Sequence, residues 1–305
     1  MPEGMSVIVE TFNFEGDVAD LESLKANVKS LLSQKPGVQF EVIVVVEGKN
    51  RELLAQVKAI RGVRVLPGRW GYIAMKNDGL KAANYGLIGF VDSDVVVNEN
   101  WIQEAVKALR SEEAVTGRTY YETDRLPAKA ASLMLFGFAQ LKEPRYTDLV
   151  VGNNMAFRRK LLEEFPLAET PARGGLRRFA CKLLAAGKRI WLNPRMVARH
   201  KYTHDTLFFK MFTDSLDYVR SIQQAPHLPT VPFPSFWPVS LPLIAAKNFL
   251  KDVKNLLMNG RTMEVPLYAY PAMVAVFAAA RTLFFAGLVV AVINPGCIER
   301  KYGVY

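Results

Sequence analysis

Leu87-Ile88-Gly89-Phe90-Val91 followed by Asp92-Ser93-Asp94 is an apolar run that ends on two carboxylates one residue apart. The run is too apolar to alternate, so it reads as a strand buried on both faces. Carboxylates at its end cannot be buried unpaired without a heavy desolvation cost or protonation. At the carboxyl end of a strand they can instead reach a hard divalent cation and a sugar or ribose hydroxyl, and Mg²⁺ or Mn²⁺ takes such oxygen ligands. A solvated turn with two capping side chains fits the same residues, because Asp-x-Asp is short.

Upstream, the chain repeats one theme. Ser6–Glu10, Phe40–Val46 and Val63–Leu66 read as further strands. Between them, Val18, Leu21, Leu24, Val28, Leu31 and Leu32 fall at helical spacing, and Leu53–Ile60, Leu80–Tyr85 and Asn100–Arg110 read as helices. Buried strands alternating with amphipathic helices predict an α/β fold with a mostly parallel sheet flanked by helices. Such sheets bind ligands beyond the carboxyl ends of their strands.

Composition narrows the function classes. The chain has 305 residues, 50% of them hydrophobic, and two cysteines, Cys181 and Cys297. A disulfide framework and a thiolate zinc site are therefore excluded. Met1 to Val9 lacks the basic-then-apolar pattern of a secretory leader. No Gly-x-Gly-x-x-Gly and no phosphate-binding Gly-Lys-Ser/Thr loop occurs, which argues against dinucleotide and NTPase chemistry. The net charge of +10 is uneven: residues 1–117 hold 13 basic and 16 acidic residues, residues 118–305 hold 26 and 13. The second half thus faces something anionic. Its charge adjoins apolar segments rather than base-stacking aromatics, so no nucleic-acid partner is expected.

Residues 118–205 are less regular, with a helix-like Phe179–Ala186 and a strand-like Arg189–Leu192. Beyond 227 comes a proline-aromatic stretch, then Ala245–Leu257 with Lys247, Lys251 and Lys254, then the almost wholly apolar Ala272–Ile293. As a helix, that last segment would be about 33 Å long, enough for a bilayer core. Arg281 near its middle makes a single clean span costly, by roughly 2.5–3.5 kcal/mol. The segment reads as a membrane-associating tail, with the lysines meeting anionic headgroups.

Five pieces in order resemble the family 2 glycosyltransferases, which use the glycosyltransferase A fold. They are Ser6 to Asn13, Glu41 to Gly48, Gly71 to Gly79, Phe90 to Asp94, and Gly152-Asn153-Asn154-Met155-Ala156-Phe157-Arg158-Arg159. The resemblance covers about residues 5–203. It implies that Thr11, Asn13, Glu47, Lys76, Asn77 and Asp92 bind the nucleotide-diphosphate-sugar donor, with Glu47 in the place of a carboxylate that accepts from uracil. Asp94 and His200 would hold Mg²⁺ or Mn²⁺; His204, clustered in sequence with His200 and Asp205, is the weaker choice. Asn153 and Asn154 would face the acceptor, although asparagines also suit a turn there. Glu10 stands where the family usually has proline.

The resemblance breaks at the general base. The family's Asp precedes a helix matched here by Lys182 to Gly187, yet counting back reaches Gly174-Gly175-Leu176, flanked by Arg173, Arg177 and Arg178. Three readings stand: another carboxylate substitutes, Glu169 or Asp148; the reaction retains configuration; or the domain is catalytically silent. The expected division is a catalytic domain over 1–225 and a helical tail over 226–305. The expected activity is sugar transfer to a lipid-linked or glycan acceptor at the cytoplasmic membrane face. The alternative is a non-catalytic, membrane-associated protein that binds nucleotide sugars.

Overall fold

The computed structural model describes residues 4–12, 21–122, 124–169, 175–201, 206–224 and 240–294. Asn13, His204, Asp205, Arg173, Gly174 and Cys297 lie outside them, as does most of the proline-aromatic stretch. By contacts the described chain forms two units. One holds residues up to 120, with 141–169 and 175–201; the other holds 121–140 and the residues beyond 201. Packing thus groups residues 121–140 and the helix 206–224 with the tail, across the expected boundary at 225.

In the first unit, β1 (Met5–Glu10), β2 (Phe40–Glu47), β3 (Arg64–Gly68) and β4 (Leu87–Asp92) are parallel neighbours in the order β3-β2-β1-β4. The register sets Glu10 beside Asp92 and beside Val45. Both faces are covered. Val7, Val9, Val42, Val44, Val46 and Val91 enter one core with α1 (Leu21–Leu32), α2 (Arg51–Lys58) and α4 (Trp101–Ala108). Ile8, Ile43, Val45, Ile88 and Phe90 enter the other, with α3 (Tyr72–Ala82) among its helices. Each fully buried side chain of this kind contributes roughly 1.5–3 kcal/mol, which is why both faces stay apolar.

Beyond β4 the sheet turns antiparallel, a feature absent from the sequence reading. β8 (Asn154–Arg158) pairs with β4 and with β6 (Ala114–Tyr121), and β9 (Ile190–His200) follows. The edges are β5 (Val95–Val97) and β7 (Arg145–Thr147), each antiparallel to β9. This half carries Asn154 to Val91 and His200 to Val95, around the Asp92–Asp94 turn. Helices α6 (Arg159–Glu164) and α7 (Gly175–Ala185) complete the unit.

The second unit is helical: α5 (Leu126–Phe136), α8 (Thr206–Gln224), α9 (Leu241–Asn259) and α10 (Tyr270–Ile293). The apolar segment from the sequence is α10. Its Arg281 forms a two-pronged ion pair with Asp252 of α9, Nε to Oδ2 at 2.6 Å and a second nitrogen to Oδ1 at 3.0 Å. Asp252 is fully buried, so the mid-helix charge is neutralised within the unit rather than exposed along the helix.

Candidate active site

Asp92 and Asp94 sit at the β4 tip, both almost wholly buried. The Asn27 amide, from the buried face of α1, donates to the Asp92 carbonyl at 3.1 Å and to that of Val95, pinning the turn. The Ser93 N–H donates to the Glu10 carbonyl at 3.2 Å.

Asp92 is held from the α3 side. Lys76, fully buried, donates to its Oδ1 at 2.8 Å, and the Tyr72 hydroxyl reaches its two oxygens at 3.1 and 3.2 Å. The Lys76 ammonium also lies 4.2 Å from the centre of the Tyr72 ring and 3.9 Å from Glu10 Oε1. Helix α3 approaches closely because Gly79 meets the sheet: a Cβ there would collide with Ile8 and press on Val45. The start of α3 is built on Gly71, whose φ of 127° a side chain would strain. Gly152 lies against the Tyr72 hydroxyl, where a Cβ would displace it.

Glu10 is completely buried and accepts from the Phe12 N–H at 2.7 Å. Burial, and then the neighbouring Asp92, push its carboxyl well above the usual range. Burial opposes ionisation of Asp92 as well, but Lys76 overcomes it and holds Asp92 below its ordinary value. The pair thus diverges: Glu10 holds a proton more readily than an ordinary carboxyl, and Asp92 gives its own up more readily.

Asp94 Oδ2 lies 3.6 Å from His200 Nε2. His200 Nδ1 is 2.9 Å from the Lys201 carbonyl, which fixes the ring so that Nε2 is the nitrogen turned toward Asp94. One carboxylate and one imidazole suit Mn²⁺ or Mg²⁺ completed by phosphate oxygens and water. Among the described residues no group of three His, Cys, Asp or Glu side chains gathers as a metal cluster.

The other expected residues are placed as follows. Thr11 is buried and its hydroxyl donates to the Val45 carbonyl at 3.0 Å, tying strand to strand. Lys76 is enclosed, so its contact is with Asp92 rather than with a ligand. The Asn77 amide donates to the Leu167 carbonyl and to Glu169, away from the Asp92–Asp94 turn. Glu47 is half-buried at the end of β2, paired in register with Gly68. Asn153 accepts from Thr119 at 3.0 Å. Asn154 does not suit an acceptor role: its buried amide donates to the Arg118 and Met196 carbonyls, both at 2.9 Å, and accepts from Trp101 Nε1 at 2.7 Å. Glu169 is bound through both oxygens by Arg69 at 2.8 Å, which holds its carboxyl below the usual range. That makes it a weaker base. Asp148 is exposed just after β7.

The sequence reading missed Tyr72, Asn27 and the function of Glu10. Asn27 had a signal: it is a polar residue in the apolar stripe Leu24, Val28, Leu31. Tyr72 had only its place behind Gly71.

A parallel β3-β2-β1-β4 half-sheet with an acidic pair at the tip of its last strand, continued by antiparallel strands that bring a histidine to that pair, defines a glycosyltransferase A fold. The mannosyltransferase PcManGT from Pyrobaculum calidifontis, solved in complex with GDP-Man and Mn²⁺, shares it with a TM-score of 0.57 at 18% identity, over 99% of this chain and 88% of that one. The family model Glycosyl transferase family 2 matches residues 6–165, and the chain belongs to that family. Hyaluronan synthase of Pasteurella multocida is 30% identical over 135 residues, 41% of this chain and 13% of that protein. Chondroitin synthase of Escherichia coli is 25% identical over 132 residues, 40% of this chain and 18% of that one. The chain therefore spans less than a fifth of the length of these relatives.

Proposed function

We propose that this protein transfers a sugar from a nucleotide-diphosphate sugar to a lipid-linked or glycan acceptor, and that it does so at the cytoplasmic face of a membrane. The observation that carries the reading is the meeting of Asp92, Asp94 and His200 at the tips of β1 and β4. Nucleotide sugars as donors agree with the family and with the GDP-Man held by the mannosyltransferase of similar fold.

Asp94 and His200 are the residues that would hold Mg²⁺ or Mn²⁺. Such an ion neutralises a diphosphate and stabilises the nucleotide as a leaving group. Asp92, fixed in its ionised form by Lys76 and Tyr72, accepts hydrogen bonds from ribose or sugar hydroxyls. Glu47, half-buried at the neighbouring strand tip, and Asn13, outside the described residues, complete the donor side. Asn153, at the start of the segment leading into β8, remains on the acceptor side. The tail and the basic excess of residues 118–305 favour an anionic leaflet and a lipid-linked acceptor.

The Arg69 grip on Glu169 favours one second reading, a binding protein that holds the donor without turning it over, because that carboxylate is then unsuited to take a proton. The deciding experiment incubates the full chain with a panel of nucleotide sugars, Mn²⁺ or Mg²⁺, and lipid extract. Release of nucleotide with labelled lipid product supports transfer, and anomeric analysis then separates inversion from retention. Donor binding without release under every condition supports the second reading.

A further inference from the structure

Helix α9 carries an exposed line of leucines. Leu243, Leu250 and Leu257 are 59%, 66% and 68% exposed. At seven-residue spacing they fall on one face, two turns apart. Lys247, Lys251 and Lys254 are exposed along one flank of that line. The other flank descends into a shallow groove of about 380 Å³ between α9 and α10, walled mainly by Ala246, Phe249, Ala278 and Phe285, with Thr282 and the Asp252-paired Arg281 also lining it. Past the groove, α10 turns Ala275, Ala279, Leu283 and Val290 outward. One apolar surface therefore crosses two helices and is bordered by lysines on one side.

A water-facing helix does not place large apolar residues in such a line. A second copy of this chain fits poorly. The positions midway between the leucines, where a helix-to-helix seam needs apolar side chains, are Lys247 and Lys254, and a two-fold pairing would bring like charges together. An acyl surface with anionic headgroups matches both features, since lysine stems lie along the apolar boundary while their ammonium groups reach phosphate.

Helix α10 is long and apolar enough to cross a bilayer, but its packing argues otherwise. Its buried face, with Phe277, Phe284 and Leu288, is covered within the unit. Helix α8 lies along it: Gly287 admits Ser215 and the Phe212 carbonyl, and the Tyr218 and Phe284 rings are 6.0 Å apart. The α8 sequence includes Lys210 and Asp214. A spanning α10 would drag these charges into hydrocarbon.

We propose that α9 and α10 form a monotopic seat: both lie in the plane of the bilayer, the α9 leucines in the acyl boundary and Lys247, Lys251 and Lys254 on anionic phosphate headgroups. This rests on the membrane part of the proposed function and adds its geometry and lipid class.

The test floats the full chain, tagged at both ends, with vesicles of phosphatidylcholine alone or with phosphatidylglycerol added. The seat predicts flotation with the anionic vesicles and digestion of both tags by external protease. It also predicts that K247Q/K251Q/K254Q weakens partition by about 100-fold, from roughly five-fold per lysine. L250D, equally exposed, should lose flotation while keeping the wild-type melting temperature. Protection of one tag would show a span and overturn the seat while leaving membrane association intact. Wild-type flotation by the triple variant would overturn it too. Failure of the wild type to float with either vesicle, with a concentration-dependent dimer in its place, would overturn both readings. Nucleotide release from sugar donors is measured separately, so no flotation result bears on the donor site.

Discussion

Glu10, Asp92 and Lys76 share one enclosed space at the tips of β1 and β4, with two carboxylates against a single ammonium. Burial beside Asp92 raises the Glu10 carboxyl, which favours a proton there, and this has a testable sign. A carboxyl raised above its ordinary value stabilises the fold fully below that value, 4.5, and loses the contribution as pH rises through the folded one. Asp92, held low, works the other way: its contribution is present above 3.8 and is lost as pH falls. Glu10→Gln imitates the protonated form. Its unfolding free energy should match wild type in acid and exceed it increasingly toward alkaline pH, by on the order of 1 kcal/mol. A constant difference across the range would show that Glu10 does not hold a proton. At this scale the sequence was half legible. That Asp92 and Asp94 close a buried strand was readable from residue type and place, and the resemblance pointed to His200 beside them. That Thr11, Lys76 and Asn154 turn inward did not, because residue type does not say which neighbour a side chain faces.

Elements decide how close those side chains come. Gly79 lets α3 rest on β1 and β2, and Lys76 lies one turn earlier on the same helix. Gly79→Ala should cost about 1–3 kcal/mol in urea denaturation through overpacking, and should weaken donor binding by shifting Lys76 and Tyr72. Lost stability with unchanged donor affinity would separate α3 from the site. Strands β1, β2 and β4 were readable because burial on both faces makes them continuously apolar. The front of α3 was not, since Gly71 offers no capping side chain and Ile73, Ala74, Met75 and Lys76 are all buried, erasing the helical period. Helix α5 was hidden for the same reason, with Ala128, Ala130, Ala131, Ser132, Leu133 and Met134 buried all round. The antiparallel strand β8 looked like a loop because its leading asparagines resemble a turn.

Across the whole molecule the chain packs as two units whose border does not follow the charge asymmetry of the sequence, because residues 141–169 and 175–201, from the basic half, belong to the site-bearing unit. The second unit depends on the Arg281–Asp252 pair. Asp252→Ala should destabilise it by about 3–5 kcal/mol by stranding the guanidinium, whereas Asp252→Leu with Arg281→Met should recover most of that loss in the same denaturation assay. No recovery would mean that the pair specifies the packing rather than merely neutralising charge. The central claim concerns the first unit, where Asp94 and His200 face each other across 3.6 Å. It is tested most directly by titrating Mn²⁺ into the full chain calorimetrically with a nucleoside diphosphate present. Tight metal–nucleotide binding that Asp94→Ala abolishes, and that His200→Ala weakens by roughly 10–100-fold, is the predicted result. Binding of wild-type strength in Asp94→Ala would contradict the account.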